Sequence, residues 1–405
     1  MRVMIRVLTL STLFPDATRR NFGVFVERQT LGLAGVPGFE VRAVAPIGLP
    51  PGPLALIHHA DKLTLPVRET WKGLDVHRPR FTSIPGVGGR WHAHHLVRAL
   101  LPVLDALRGE FPFDVIDASF FFPDGPAAVA LGDHYGVPVS IKARGADVHH
   151  WGTSSATVAQ VIDASHAADG LLAVSAAMRA DMAALGMPAE RIRVHHTGVD
   201  LARFRPVADR DDAKATLGVA GPLVLSLGAL IPRKGHDVVL RAVAQLPGVG
   251  LAIAGDGPER ARLIALADAL GCGDRLHMLG NVPHDALPAI CGAADVMALA
   301  STSEGLANAW LEALACGTPI VISDAGGARE VVVSRSAGRI VPRDPQAFAD
   351  AIAALIAQPQ AADAVRATAL PFTWEANSMA LADHLRGLVA HGRRRTIRTR
   401  QASSG

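Results

Sequence analysis

Cysteine is scarce in this chain. Its 405 residues hold three, Cys272, Cys291 and Cys316, and no CxxC spacing. An odd count without paired spacing excludes a disulfide framework and a zinc cluster, and it fits a reducing cytoplasm. Long apolar runs are also missing. No stretch of about 20 apolar residues occurs, so no spanning helix is expected and membrane contact would be peripheral. The N-terminal MRVMIRVLTLST is interrupted by Arg6 and reads as a first strand, not a signal peptide. Net charge is small. Forty basic residues, nearly all arginine, face 37 acidic ones, for a formal charge of +3. That balance gives no sign of a nucleic-acid partner. HExxH, GxxxxGK[ST] and GxSxG are all absent. GDGPER has Gly255 and Gly257 but Arg260 where a dinucleotide fingerprint wants a third small residue. The histidines of RWHAHH, VHHW and VHHTG lack a partnered ligand set, so no metal and no cofactor are expected.

What is present is a globular composition, 49% apolar and 19% charged, in a chain too long for one core. Strand-like and helix-like patterns alternate. RVMIRVLTL, FEVRAVAP and DVIDAS read as strands, with FGVFVERQTLGLA and PDGPAAVALGDHYG as helices. After residue 220 the grammar repeats with GPLVLSLG, GVGLAIAGDG, RLHMLG, DVMALA and PIVIS as strands. Continuous apolar strands between helices predict parallel sheets covered on both faces, in two doubly wound α/β domains. The polar segment ARFRPVADRDDAKATLGVAG separates the blocks and places one domain at 1–203 and the other at 204–372. FTWEANSMALADHLRGLVAHG predicts one more helix, about 373–391, and the basic residues 392–405 read as a flexible tail. That tail is either a solvated terminus or a patch drawn to an anionic lipid surface.

Five segments carry chemistry at predicted strand ends, where open parallel sheets bind ligands. In STSEGLANAWLEALACG, Glu304 lies in the loop and Glu312 eight residues on, about 12 Å further if the chain between were helical. Each could be an ordinary helix-end acid; together they could grip two ends of one long ligand. Backbone N–H groups of Gly305, Leu306 and Ala307 are expected to open a helix and suit an anion, with Asn308 following. SLGALIPRKGHD sets Arg233 and Lys234 before a helix, a phosphate clamp or a solvated turn. NFG places Gly23 where backbone could approach a ligand. KARGADVHHW and DASFFFPDG supply Arg144, Asp147 and Asp124, which could line a crevice or form internal loop bonds.

As a set these segments resemble the large retaining glycosyltransferase family with the GT-B fold, often called family 4. EGLANAWLEALACGTPIVISDAGG resembles its donor signature, and STLFPDATRRNFGVFVERQ the glycine loop of its exopolysaccharide and teichuronic-acid type members. VSAAMRADM, HHTGVDLARFRP, IAGDGPER and LGNVPHDALP fall in family order, to about residue 390. The resemblance implies two Rossmann-like domains facing a central cleft. The acceptor would bind the N-terminal domain, with Asp124, Arg144 and Asp147 as candidates, and a UDP- or GDP-linked sugar the C-terminal one. It implies transfer to a hydroxyl with retained configuration, without a metal. Lys234, beside Arg233, would meet the donor phosphate, Glu304 the sugar and Glu312 the ribose. Gly23 would approach the diphosphate, and the backbone of Asn281 and Val282 the base. Ala229 stands where members commonly carry arginine, and Ser119 where histidine is common. The implied setting is cell-surface polysaccharide or glycolipid synthesis at the cytoplasmic face of the membrane, on a sugar or lipid-linked oligosaccharide. A sugar-nucleotide epimerase and a catalytically silent partner subunit are the alternatives with the same fold.

Overall fold

The computed structural model describes residues 4–84 and 89–402, with side chains described to residue 392 apart from residue 58. The chain forms two compact units. One runs up to His196 and is rejoined by the chain from Trp374 onward; the other is Thr197–Thr373. Sequence composition puts the first crossing at 203/204. The crossing lies earlier because Val199 bridges to Thr373, inside the second unit.

The first unit holds β1 (Ile5–Leu10), β2 (Phe39–Val44), β3 (Ile47–Leu49), β4 (Arg68–Trp71) and β5 (Leu74–His77). It continues with β6 (Arg80–Thr82), β7 (Val115–Ala118), β8 (Val139–Ala143), β9 (Gly170–Ala173) and β10 (Ile192–Val194). Eight of them form a sheet in the order β10-β9-β8-β7-β1-β2-β5-β4, and β3 pairs with β6. All pairings are parallel except that of β4 with β5. The second unit holds β11 (Leu223–Leu227), β12 (Gly250–Ala254), β13 (Leu276–Gly280), β14 (Val296–Leu299), β15 (Ile320–Ser323) and β16 (Gly338–Val341). They form an all-parallel sheet in the order β13-β12-β11-β14-β15-β16.

Burial explains why these runs are strands. β7, β8, β12, β14 and β15 are buried at every position, as strands covered on both faces must be. In the second unit Val224, Leu251, Ile253 and Val296 pack against Val239, Val243, Phe348 and Ile352 of the flanking helices. In the first, Val7, Val41 and Val115 pack against Leu381 and Leu385 of the last helix. That helix runs Trp374–Ala402, further than the sequence predicts. Between Gly392 and Gly405 the segment read as a tail contains no proline and no glycine, so nothing there breaks a helix. Side chains of the basic residues 393–405 lie outside the described residues.

The strand orders decide where a site can form. Each unit's first strand sits inside its sheet, with the chain winding first to one side and then to the other. The order therefore reverses between β1 and β7, and again between β11 and β14. Loops at the carboxyl ends of such strand pairs diverge and leave a crevice.

Candidate active site

In the second unit the loops after β11 and β14 meet at the reversal. Gly235 adopts φ 68°, and a Cβ there would lie 2.1 Å from the Ala300 carbonyl oxygen. Only glycine permits that approach, which lays the β11 loop directly on the end of β14. The preceding residue, Lys234, thereby reaches Glu304, with Nζ donating to Oε1 at 2.6 Å. Behind this loop His236 is buried. Its Nε2 lies 3.2 Å from the Ala229 carbonyl, which can only accept, so Nε2 carries the proton and Nδ1 accepts from Ser226 Oγ at 2.8 Å. Burial pushes the imidazole down to about 4, so it stays neutral.

Glu304 is 7% exposed. Its Oε1 also accepts from Ser301 Oγ at 2.7 Å and lies 3.5 Å from Arg233 Nη1. Arg233 donates in addition to the Ser303 carbonyl, and Ser323 Oγ to the Ser301 carbonyl. Burial raises the carboxyl, but the Lys234 ammonium and its hydrogen bond, with Arg233 and Ser301, outweigh it and hold Glu304 below the usual range. The acid is thus ionised and braced through one oxygen. Ala229 offers no charge to this loop; Arg233 brings the guanidinium.

The helix bearing Glu312 begins at Asn308, so Gly305, Leu306 and Ala307 precede it and do not open it. The Gly305 carbonyl accepts from Gly327 N at 2.8 Å, and Ala307 is extended at φ −72°, ψ 123°. Those bonds keep the chain out of helix until Asn308. Gly326, at φ 53°, lets the DAGG turn close onto this loop, since a Cβ there would lie 2.2 Å from the Glu304 carbonyl. Glu312 is buried and meets His284 Nε2 at 3.0 Å. Asn281 and Val282 follow β13 at its carboxyl end, on the segment leading to His284.

The first unit repeats the geometry with other chemistry. Gly23, at φ 74°, lets the β1 loop fold back so tightly that a Cβ would lie 2.6 Å from the Leu13 carbonyl group. Thr12 N donates to Asp124 Oδ2 at 2.9 Å across the reversal. Asp124 is fully buried, and burial, with Asp147 nearby, pushes its carboxyl up to about 7. Asp147 is also buried and accepts from the backbone N–H groups of Phe121, Arg144 and Gly145 at 3.0, 3.0 and 2.7 Å. Arg144 donates to the Ser119 carbonyl at 2.6 Å and to Gln29 Oε1 at 3.1 Å, and its guanidinium lies 4.8 Å from the Phe25 ring centre. These three residues bind their own loops together. Beneath them Lys142 contacts Gln29 Oε1 at 3.0 Å and His195 Nδ1 at 2.7 Å, and His195 Nε2 reaches the Asn377 carbonyl at 2.9 Å. Burial drives Lys142 and His195 well down, and this chain of contacts ties the last helix to β8.

Sequence patterns miss Ser301, His236, His284, Lys142 and His195. His236 directly follows the Arg-Lys-Gly run, and that adjacency was the available signal; the others are placed by strand order. Among the described residues no group of three His, Cys, Asp or Glu side chains could hold a metal, and all three cysteines are free and buried.

The comparisons with known proteins agree with this architecture. Residues 32–203 match the model "Glycosyltransferase Family 4" and residues 208–370 the model "Glycosyl transferases group 1". The chain is a two-domain GT-B glycosyltransferase-family protein. It is similar to the D-inositol 3-phosphate glycosyltransferase of Mycobacterium marinum, 38% identical over 226 residues, 51% of this chain and 48% of the relative. A Mycobacterium bovis relative of the same name is 39% identical over 211 residues, 48% of this chain and 44% of that one. The chain thus spans about half the length of the curated relatives it matches. Among solved structures, sucrose-phosphate synthase from Thermosynechococcus elongatus superposes with TM-score 0.79 at 23% identity, covering 96% of this chain and all of the other. Anabaena HepE in complex with UDP and glucose superposes with TM-score 0.74 at 21% identity, covering 95% and 100%. These likenesses bear on the fold of the family 4 and group 1 halves.

Proposed function

We propose that the chain is a retaining glycosyltransferase that moves a hexosyl-type sugar from a UDP- or GDP-sugar to an acceptor hydroxyl. The observation that carries this is the Lys234–Glu304 contact of 2.6 Å at the strand-order reversal, with Arg233 beside it. An ammonium has three N–H donors, and Glu304 uses one. The others are available to a diphosphate, whose charge grows as the glycosidic bond breaks. The bonds described at Glu304 all fall on Oε1, so Oε2 can orient sugar hydroxyls and stabilise positive charge at the anomeric carbon. Glu312 holds the ribose hydroxyls at the nucleotide end, and the backbone of Asn281 and Val282 meets the base. No metal or added cofactor enters these steps.

The proposed acceptor is a sugar or lipid-linked oligosaccharide of cell-surface synthesis, met at the cytoplasmic face of the membrane. No helix among the described residues is long and apolar enough to cross a membrane. A second acceptor class, a phosphorylated cyclitol, is favoured by the activity for which the Mycobacterium relatives are named. The test has two stages. Thermal shift with UDP- and GDP-sugars should find a donor that raises the melting temperature, since only folded-state binding does so. Product NMR with both acceptor classes should then show transfer with the donor's anomeric configuration. An inverted product sinks retention, and epimerised donor without transfer means the epimerase alternative holds.

A further inference from the structure

His284 stands between Arg203 and Glu312. Its Nε2 lies 3.0 Å from Glu312 Oε1 and its Nδ1 3.3 Å from Arg203 Nη2. A guanidinium can only donate, so Nδ1 is the acceptor and the ring proton sits on Nε2, aimed at the carboxylate. The same nitrogen also lies 3.1 Å from the His284 carbonyl and 2.9 Å from Asp285 Oδ1, so its two hydrogens are shared among three acceptors. Phe204 packs edge-on against the imidazole, with centroids 5.5 Å apart and planes at 65°. Ring orientation and tautomer are therefore set from three sides before any ligand arrives.

From this we infer that His284 is a positioning residue for Glu312 and, through it, a determinant of ribose recognition in the donor. The inference rests on the assignment of Glu312 to the ribose made above. A carboxylate has about four acceptor sites. His284 takes one on Oε1, which stops the terminal torsion of Glu312 and leaves the other sites for two vicinal hydroxyls. A glutamate otherwise loses rotamer freedom when it grips a ligand, and holding it in advance removes part of that cost. The chain Arg203–His284–Glu312 is thus built to make the acid ready for a 2′,3′-diol.

Isothermal titration calorimetry with UDP and GDP, each beside its 2′,3′-dideoxy counterpart, tests this on the full chain. Wild type should prefer at least one ribonucleotide over its dideoxy form. Glu312→Ala should abolish that preference. His284→Ala should cut ribonucleotide affinity by about tenfold while leaving dideoxy affinity unchanged. His284→Asn, whose amide lies near the place of Nδ1 and falls short of Glu312, should behave the same way. His284→Gln, whose amide nitrogen lies near the place of Nε2, should return to within about threefold of wild type. If Glu312→Ala loses the preference but His284→Ala and His284→Asn keep it, the role of His284 is overturned alone. Equal loss for both nucleotide forms in the His284 variants means a merely structural residue and also overturns it. If wild type has no preference, or Glu312→Ala retains it, the ribose assignment of Glu312 fails and the role of His284 fails with it.

Discussion

The two units place a carboxylic acid at the same topological position and give it opposite characters. In the first, Asp124 meets Thr12 across the β1–β7 reversal; in the second, Glu304 meets Lys234 across the β11–β14 reversal. Both acids are buried. Burial wins at Asp124, whose carboxyl rises to about 7, because its named partner is a neutral backbone N–H. Cations win at Glu304, which is held below the usual range. Strand order creates the crevice in both units. The loop sequence then decides whether the crevice holds an ionised acid beside cations or an acid that keeps its proton up to about pH 7 beside a backbone N–H.

The largest expected effect breaks the second unit's half of this contrast. Glu304→Gln and Lys234→Ala should each lower sugar transfer by about a hundredfold to a thousandfold in steady-state kinetics, the scale of losing one preorganised electrostatic contact. Far-ultraviolet circular dichroism should remain that of wild type. Next in size is stability. Lys234→Met leaves the buried Glu304 without its nearest cation and should cost about 1–3 kcal/mol in urea unfolding. Adding Glu304→Leu should recover much of that loss, because removing both charges is far cheaper than stranding one. A double variant no more stable than the single would show that the pair does not act as one unit.

Smaller effects sharpen the comparison through pH. Asp124 keeps its proton to about pH 7 in the folded state, whereas an unfolded aspartate gives it up near its model value of 3.8. Its contribution is therefore present at low pH and is lost as pH rises from about 4 to 7. Asp124→Asn should remove that slope from a plot of melting temperature against pH. His236 runs the other way. Its pKa falls from 6.5 to about 4, so the unfolded state takes up the proton first and stability is lost as pH falls through that window. His236→Gln, which retains a donor for the Ala229 carbonyl, should flatten the acid side of the curve.

Much of the fold was legible because buried parallel strands are continuous apolar runs. DVMALA and PIVIS announce β14 and β15 without help from their neighbours. Residues 47–113 were harder. β4 alternates between exposed and half-buried positions, β3 and β6 are three residues each, and the helix Gly89–Glu110 carries Pro102 inside it. At the site, Lys234 and Glu304 were each recognisable at strand ends. Their contact was not, because it depends on β11 lying beside β14 and on Gly235 closing against Ala300. His284 was hidden for a similar reason: its partners Arg203 and Glu312 are 81 and 28 residues away. The helix start was misplaced by the glycine-rich loop, whose carbonyl bond to Gly327 cannot be read locally.

One measurement tests the central assignment most directly: calorimetric affinity for UDP against UMP, and GDP against GMP, in wild type and in Lys234→Ala. A diphosphate site at Lys234 predicts that wild type prefers the diphosphate by about tenfold or more, and that the variant loses most of this preference. An undiminished preference in Lys234→Ala would contradict it.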